Sequence, residues 1–253
     1  MNMDNGLLEP SERLDDLLTH QLRIIQSDEV FSFSMDAVLL ARFAGVPPRG
    51  KVLDLCTGNG VIPLLLTTRT KAQIEAIEIQ PRLAGMARRS VALNGLEDRI
   101  MIREGDLREL HQETGHGTYD AITVNPPYMP LNGSDIKLNP HQAIARHEVS
   151  CTLEEVIQAC FRLVKPGGKV SMVHKPQRMA DIMALMRQYR LEPKRVRFVH
   201  PRAHLEANMV LIEAMRDGKP EVRLLPPLIV YDDHNQYCPE IMDIYYGSKE
   251  GEV

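Results

Sequence analysis

The chain of 253 residues has few cysteines and no long apolar run, and both absences exclude classes of protein. None of its four cysteines lies in a C-x-x-C pair, and their spacing matches no common zinc site. They are Cys56, Cys151, Cys160 and Cys238. We therefore expect free thiols, no metal and a cytoplasmic protein, because a reducing compartment keeps thiols unpaired. No apolar run reaches the ~18 residues of a membrane helix, and Met1 to Asn5 do not begin a secretory signal.

Positive charge is also scarce, since 30 Lys and Arg stand against 34 Asp and Glu, which gives a formal net charge of −4. A chain of this charge can still bind nucleic acid through a local basic face. One stretch has that character and contains only one acid, Glu192. Its cations are Arg187, Arg190, Lys194, Arg195, Arg197 and Arg202. This basic stretch is the candidate surface for a polyanionic partner.

From residue 51 onward, short apolar runs alternate with helical patterns. The runs predict strands at residues 52–55, 74–79, 100–103, 120–124 and 169–174. The segments between them predict helices from residue 61, and at 81–94, 153–164 and 179–189. Residues 195–200 and 208–213 are strand-like and close in sequence, which indicates an antiparallel pair. The alternation predicts a Rossmann-like α/β fold, a doubly wound and mostly parallel sheet with helices on both faces.

The first 50 residues precede this pattern. We expect residues 1–50 to form a helical or extended segment that packs on a larger domain of residues 51–253. Helical spacing within 7–27 favours a helix there, through Leu14, Leu17, Leu18, Leu22 and Ile25. A second helix is predicted from Ala37 to Ala44, after the helix-starting residues Ser34 and Asp36.

A glycine-containing loop follows the first predicted strand of the larger domain, and it reads Asp54-Leu55-Cys56-Thr57-Gly58-Asn59-Gly60. Glycine lets the backbone turn tightly and approach a ligand closely. The helix that follows points its N-terminal amides towards the same place. Because doubly wound sheets bind ligands beyond the carboxyl ends of their strands, the loop is a candidate cofactor site.

Two acids at the ends of the next strands narrow the identity of the cofactor. Glu78 can accept hydrogen bonds from ribose hydroxyls, and Asp106 can accept one from an adenine amino group. A nicotinamide dinucleotide is the competing cofactor, but its G-x-G-x-x-G fingerprint needs a third glycine where this chain has Pro63. The loop resembles the D-x-G-x-G-x-G loop of S-adenosylmethionine (SAM)-dependent methyltransferases, with Cys56 in place of the first glycine. Asp54 is a place to bind the cationic amino group of such a ligand.

The motif Asn125-Pro126-Pro127-Tyr128 directly follows the fourth predicted strand. The prolines lack amide donors and fix φ, so the loop is rigid. A planar nitrogen is a poor nucleophile, and two acceptors aimed at its N–H groups increase its nucleophilicity. The Asn125 side-chain oxygen and the Pro126 carbonyl can supply them, while Tyr128 can stack on the acceptor. The motif predicts direct in-line methyl transfer to an amino nitrogen, in which positioning supplies up to about 7–11 kcal/mol.

The whole chain resembles the bacterial tRNA1(Val) (adenine-N6) methyltransferases, which modify the adenine beside the anticodon. Besides the motif at Asn125, the resemblance rests on residues 31–41, Ala145-Arg146-His147-Glu148, Lys165-Pro166-Gly167-Gly168, Val199-His200-Pro201-Arg202, Glu206-Ala207-Asn208 and Leu225-Pro226-Pro227-Leu228. It implies that residues 51–253 are the methyltransferase domain and that tRNA is the partner. A target base in structured RNA must be extruded from its stack, and the basic stretch is the candidate surface to hold the phosphates, with a solvated face as the alternative.

The resemblance also implies site residues. Adenine is held by Asn125, Pro126, Pro127 and Tyr128. SAM is held by Asp54, Cys56, Thr57, Gly58, Gly60, Glu78, Ile79, Asp106, Leu107, Phe33 and Asp36. The segment from Phe33 to Asp36 is expected to close over SAM. Arg146, His147 and Glu148 receive no role, because a salt bridge within the loop and a substrate contact are equally compatible with the sequence.

Other acceptors stay open, since the same motif occurs in methyltransferases of protein glutamine and of the guanine exocyclic amine in ribosomal RNA. A protein glutamine methyltransferase usually carries a separate helical N-terminal domain, and about 50 residues precede Val52 here. A non-catalytic SAM-binding or RNA-binding module would show a degraded glycine loop or a replaced Asn125, and neither is found.

Overall fold

A computed structural model of the chain describes residues 7–30, 34–128 and 151–246. Its strands are β1 (Glu12–Asp16), β2 (Arg23–Ser27), β3 (Lys51–Leu55), β4 (Gln73–Glu78), β5 (Ile100–Glu104), β6 (Tyr119–Val124), β7 (Val164–His174), β8 (Leu191–His200), β9 (Met209–Arg216), β10 (Arg223–Leu224) and β11 (Leu228–Ile229). Its α-helices are α1 (Met35–Phe43), α2 (Val61–Leu66), α3 (Pro81–Leu93), α4 (Leu110–Thr114), α5 (Leu153–Leu163), α6 (Met179–Gln188) and α7 (Pro239–Tyr246). None of the helices in these ranges is long and apolar enough to cross a membrane.

The main sheet has the strand order β5-β4-β3-β6-β7-β9-β8, and the short strands β10 and β11 both pair with β8. The pairs from β5 to β7 are parallel, whereas β9 lies antiparallel between β7 and β8. The chain builds outward from β3 to β5 and then returns to the other side of β3 at β6. The switch point of the sheet therefore lies between β3 and β6, and the predicted Rossmann-like fold is confirmed.

Successive residues of the central strands face opposite sides of the sheet, and each side has its own hydrophobic core. Val52 belongs to the core under α1, α2 and α7, while Leu53 belongs to the core under α4, α5 and α6. Ala121 and Ile122 of β6 divide in the same way. Helices thus cover both faces, as the sequence predicted.

The N-terminal segment corrects one prediction, because it forms a β-hairpin where the apolar spacing favoured a helix. Strands β1 and β2 pair antiparallel, with Leu14 opposite Ile25. Side chains of α3 bind the backbone of β2. Asn94 accepts from the Arg23 N–H at 3.0 Å and donates to its carbonyl at 2.7 Å, and Ser90 accepts from the Ile25 N–H at 3.0 Å. These tertiary hydrogen bonds favour an extended chain over the helix that spacing alone predicts.

The hairpin and α1 pack against the larger domain. Buried Leu22 and Ile24 of the hairpin lie in the same hydrophobic cluster as Leu39 of α1 and Val52 of β3. The division of the chain after residue 50 stays a prediction.

A buried ion pair joins the antiparallel strands. Glu213 of β9 is opposite Arg195 of β8, and its side chain is 4% exposed. It accepts hydrogen bonds from Arg195 Nε at 2.9 Å and Nη2 at 2.7 Å, from the Gly45 N–H at 2.7 Å and from the Ser171 hydroxyl at 3.3 Å. Arg195 also donates to the Phe43 carbonyl, so the pair ties α1 to the sheet.

We predict that Arg195→Met lowers the free energy of unfolding by about 2–3 kcal/mol. Breaking a fully buried pair costs ~3–5 kcal/mol because a charge is left without its partner. The loss here is smaller because the Arg195 side chain is 30% exposed and Gly45 still donates to Glu213. Urea unfolding monitored by circular dichroism measures it.

The matched control is Arg187→Met. Arg187 pairs with Glu192 at 3.3 Å, but its side chain is 64% exposed. A change within about 0.5 kcal/mol is expected for such a surface site. Equal losses in the two variants would contradict the structural role given to Arg195.

Candidate functional site

A pocket of about 300 Å³ lies beyond the carboxyl ends of β3, β4, β5 and β6. Most residues that the sequence singled out line it: Asp36, Cys56, Thr57, Gly58, Glu78, Ile79, Asp106, Leu107, Asn125, Pro126, Pro127 and Tyr128. Asp54 and Gly60 belong to the glycine loop but do not line the pocket. Phe33, Arg146, His147 and Glu148 lie outside the described residues. The structure thus brings the glycine loop, two strand-end acids and the proline motif to one place.

The glycine loop is tight, and three of its positions have a left-handed backbone, two of which are glycines. Gly60 has φ +90°, and a Cβ at this position would lie 3.1 Å from the Cβ of Ala87, so glycine allows the loop to approach α3. Gly58 has φ +59° with open space around it. Cys56 adopts φ +57° as well, although it is not glycine. Cys56 therefore replaces the usual glycine and adopts the backbone conformation that a glycine would adopt here.

Two buried polar atoms beneath the loop have no hydrogen-bond partner among the described residues, Asp54 Oδ2 and Thr57 Oγ1. The other Asp54 oxygen accepts a hydrogen bond from the Thr123 hydroxyl at 2.6 Å. Burial raises the pKa of Asp54 to about 7, although the nearby hydroxyls of Thr123 and Thr57 lower it. Buried polar atoms are nearly always paired, so these two mark a place where a polar ligand group or water fits.

Glu78 and Asp106 differ in how they are engaged. Glu78 is buried, accepts from the N–H groups of Gly58 at 2.9 Å and Gln80 at 3.0 Å, and its pKa is raised by burial. Asp106 accepts from the backbone N–H of Arg108 at 2.9 Å and from its Nε at 3.0 Å. The Arg108 guanidinium lowers the pKa of Asp106. Glu78 thus fixes the glycine loop, and Asp106 is a charged carboxylate at the edge of the pocket.

The proline motif is linked to the start of α1. The Tyr128 hydroxyl lies 2.7 Å from Asn125 Oδ1 and also within hydrogen-bond distance of Asp36. A phenol has one proton and donates to one of these acceptors at a time. Burial and the nearby Asp36 carboxylate raise the pKa of Tyr128, so the hydroxyl keeps that proton. In this conformation the Asn125 oxygen is therefore partly engaged within the protein.

Ser34, within the segment that was expected to close over SAM, lines the pocket and donates to Asp36 at 2.6 Å. Two residues at the end of β7 were not found from the sequence. Lys175 lines the pocket and lies above the Tyr128 ring, 5.7 Å from its centroid. His174 ends β7 and lies 5.1 Å from Tyr128, measured between ring centroids. Burial lowers the pKa of His174 to about 4, so it is neutral at pH 7. The predicted end of β7, a further strand end, is the sequence signal that could have identified Lys175 and His174.

Cys151 also lines the pocket and contacts Cys56. A hydrogen bond with Cys151 and burial raise the pKa of the Cys56 thiol well above its usual value, and the same contact lowers the pKa of Cys151. Cys56 is therefore protonated at pH 7. Both cysteines are free thiols, as are Cys160 and Cys238.

The basic stretch has less free charge than its sequence indicates. Four of its cations are paired with carboxylates: Arg187 with Glu192, Arg190 with Asp217, Arg195 with Glu213 and Arg197 with Glu240. Lys194 and Arg202 instead donate to the neutral oxygens of Lys219 and Asn235. Four of the six positive charges are thus compensated locally.

Comparison with known proteins identifies the family of the chain. The sequence model of the methyltransferase small domain family matches residues 21–192, more than half of the chain. A tRNA1(Val) (adenine(37)-N6)-methyltransferase of Porphyromonas gingivalis is 32% identical over 217 residues, which are 81% of this chain and 83% of the relative. A protein of the same name in Aeromonas salmonicida is 37% identical over 180 residues, 70% of this chain and 73% of the relative.

The chain is also similar in fold to solved structures. A predicted O-methyltransferase from Agrobacterium tumefaciens superimposes with a TM-score of 0.68 at 24% identity, over 84% of this chain and 96% of that chain. At this identity the similarity concerns the architecture alone, and it agrees with the strand order described above.

We predict that Asp54→Asn removes a fall in stability with rising pH. The unfolded carboxyl loses its proton near its usual pKa of 3.8, whereas the folded one keeps it to about pH 7. Between these values the folded state binds more protons, so stability decreases as pH rises and then levels off. Relative to the natural protein, the variant should gain a few kcal/mol by pH 7, at about 1.4 kcal/mol per unit of pKa difference.

Chemical denaturation at pH 4 to 8, without ligand, measures this difference. Asp120→Asn is the control of opposite sign. Lys165 and the Lys51 N–H outweigh burial and keep the pKa of Asp120 below its usual value, so this variant should lose stability above pH 4. Identical pH profiles for the natural protein and Asp54→Asn would rule out a buried, proton-retaining Asp54.

Proposed function

This chain belongs to the methyltransferase small domain family and to the family of the tRNA1(Val) (adenine(37)-N6)-methyltransferases, and we propose that it methylates the N6 amine of an adenine in tRNA. It is a SAM-dependent methyltransferase. The observation that carries the proposal is one pocket that contains both the glycine loop and Asn125-Pro126-Pro127-Tyr128. The names of the two relatives favour adenine over the glutamine and guanine acceptors that the motif leaves open.

We assign the cofactor half of the pocket to the glycine loop and the acids beside it. Glu78 would accept from the ribose hydroxyls, and Asp106 from the adenine amino group of SAM. The unpartnered Asp54 Oδ2 and Thr57 Oγ1 support a ligand with a polar, cationic end at the loop, since Asp54 would charge when a cation or ordered water reaches it. When bound, SAM supplies an electrophilic methyl group on a sulfonium.

We assign the acceptor half to the proline motif. Asn125 Oδ1 and the Pro126 carbonyl would accept both N–H groups of the target amine, which orients its lone pair and increases its nucleophilicity. The Tyr128 ring would stack on the base, a contact worth about 1–3 kcal/mol in nucleic-acid complexes. Asn125 Oδ1 already has the Tyr128 hydroxyl at 2.7 Å, so binding of the amine requires this hydroxyl to move away. The amine then replaces one hydrogen bond with another.

The proton that leaves the methylated amine needs no strong base, because the cationic product is acidic. His174 is neutral at pH 7, and its buried Nε2 has no partner among the described residues. The role of this chain is thus to position two reactants and exclude water, which can supply up to about 7–11 kcal/mol of the barrier. A base in a stem or loop must leave its stack to reach such a pocket.

We predict that Asn125→Ala reduces methyl transfer by about 100-fold or more, as expected when a hydrogen-bond partner of the transition state is removed. The affinity for SAM should change little, because Asn125 lies on the acceptor side. A tritiated-methyl assay on unmodified tRNA, with mass spectrometry of the nucleosides, measures product, and calorimetry measures SAM binding.

Gln112→Ala, an exposed substitution outside the pocket, is the matched amide control. Full activity of Asn125→Ala would contradict its role. Methyl groups recovered in guanosine or in protein, and not in N6-methyladenosine, would contradict the proposed function itself.

Two substitutions of Tyr128 distinguish the effect of stacking from that of hydrogen bonding. We predict that Tyr128→Phe keeps kcat within about threefold and lowers KM for tRNA, because the ring is kept and the competitor for Asn125 is removed. Tyr128→Ala should raise KM for tRNA by tenfold or more, as a stacking contact of about 1–3 kcal/mol is lost. Steady-state kinetics with varied tRNA measures both; equal defects in the two variants would assign the role to the hydroxyl instead.

The role of the basic stretch in binding tRNA stays a proposal. The pairing of four of its cations with carboxylates reduces the charge that it presents to phosphates.

A further inference from the structure

A second cavity, of about 500 Å³, lies at the other end of β7 from the candidate site. Lys169, which lines this cavity, is at the start of the regular pairing of β7 with β6. Lys175, which lines the candidate site, directly follows the last residue of β7. At about 3.3 Å per residue the two ends are roughly 20 Å apart. Helix α1 joins them too, since Asp36 lines the first pocket and Phe43 the second.

Positive charge is concentrated around this cavity. Among the described residues, its lining contains the carboxylates of Glu213 and Glu221. Its cations are Arg42, Arg69, Lys169, Lys194, Arg195 and Arg223. The lining thus has a surplus of four positive charges in a chain whose net charge is −4. Charge of one sign lining a concave surface concentrates its field there.

Several of these cations keep donors that the protein does not use. Within the described residues, the Arg223 side chain makes no hydrogen bond or ion pair, and Lys169 has only Glu213, 3.9 Å away. Arg42 uses Nε to reach the Ile244 carbonyl at 3.0 Å and leaves both terminal nitrogens open. Glu213 is already engaged by Arg195 at 2.7 Å. The cavity therefore contains free cationic donors. Of its two carboxylates, Glu213 is engaged, whereas the exposed Glu221 has no hydrogen bond or ion pair within the described residues.

The cations also act on one another. Burial lowers the pKa of Arg69, and the nearby guanidinium groups of Arg42 and Arg195 lower it further, against the effect of Glu213. Like charges this close repel, and a bound anion would remove the repulsion. Backbone carbonyls hold Arg69 at this place, because its Nη1 donates to Ala44 at 2.9 Å and to Ala41.

We infer that this cavity binds a phosphate-bearing anion through Arg42, Arg69, Lys169 and Arg223. Guanidinium groups match phosphate oxygens with two parallel N–H donors, and several cations around one cavity suit a multiply charged group better than a single carboxylate. The phosphate has two possible sources, the backbone of an RNA substrate and a free polyphosphate compound. The RNA source rests on the proposed function; the free compound does not.

The distance between the two sites fits the RNA source. A strand of a nucleic-acid helix rises roughly 3 Å per nucleotide, less in RNA than in DNA, so 20 Å corresponds to about six or seven nucleotides. A stem and loop that places a base in the candidate site can therefore present backbone phosphates at the cavity. Each phosphate contact would contribute to the salt dependence of binding and not to base selectivity.

The test variant is the full chain with Lys169→Gln and Arg223→Gln combined. Within the described residues, neither of these cations has a hydrogen-bond or ion-pair partner closer than 3.9 Å. The control combines Arg13→Gln and Arg88→Gln, which removes the same charge from exposed cations that line neither cavity and are paired with Asp28 and Glu104. Thermal unfolding first establishes that both variants are folded. Fluorescence anisotropy then gives tRNA affinity at several salt concentrations, and calorimetry gives tripolyphosphate affinity.

If RNA is the source, the slope of log K against log salt falls by about 1.4 in the cavity variant, at ~0.7 per lost contact with single-stranded RNA, and the control is unchanged. If a free phosphate compound is the source, tRNA binding is unchanged while tripolyphosphate affinity falls about tenfold or more, the loss of charge-assisted hydrogen bonds. Equal behaviour of the two variants in both assays overturns the inference. Absence of N6-methyladenosine from every tRNA, with tripolyphosphate affinity still dependent on the cavity, would defeat the proposed function alone.

Discussion

The site depends on the register in which β3 pairs with its two neighbours, β4 and β6. Leu55 at the end of β3 is opposite Ile77 of β4 on one side and Val124 of β6 on the other. The three strands therefore end at the same level, and the residues that follow them meet in one pocket. Because side chains alternate between the faces of a sheet, a shift of one residue would turn each of these strand ends to the wrong face. Strand register therefore brings the glycine loop and the proline motif together in one pocket.

The N-terminal segment supports the edge of the sheet where these strands end, and it is not a simple appendage. Asn59 in the glycine loop donates to the Ile25 carbonyl of the hairpin at 3.0 Å. Asp36, at the start of α1, is hydrogen-bonded to Tyr128 of the proline motif. The loop needs such support, since Cys56 has a left-handed backbone and Asp54 is fully buried with one oxygen unpaired. Strained and unpaired groups persist at functional sites only where the surroundings hold them.

What the sequence could predict follows from how local each signal is. The strand-helix alternation after residue 51, the glycine loop and Asn125-Pro126-Pro127-Tyr128 are contiguous patterns, and the fold and the pocket lining follow from them. The hairpin was wrongly predicted as a helix because its backbone partners, Ser90 and Asn94, belong to a distant helix. The hydrogen bond from Arg108 to Asp106 could not be predicted either, because the spacing of residues in the sequence does not determine side-chain geometry.

Charge is the property for which sequence and structure differ most. A run of six cations within residues 187–202 indicates a basic surface, but folding brings carboxylates from outside this stretch to three of them, such as Glu240 of α7 to Arg197, and Glu192 within the stretch pairs with a fourth. Cations remain without carboxylate partners around the second cavity, which is assembled from α1, the turn after α2, β7, β8 and β10, far apart in sequence. A chain of net negative charge repels a polyanion over most of its surface, so binding must depend on such a concentrated region. The location of the unpaired cations, and not their number in the sequence, then determines how a phosphate-rich ligand is oriented relative to the site of chemistry.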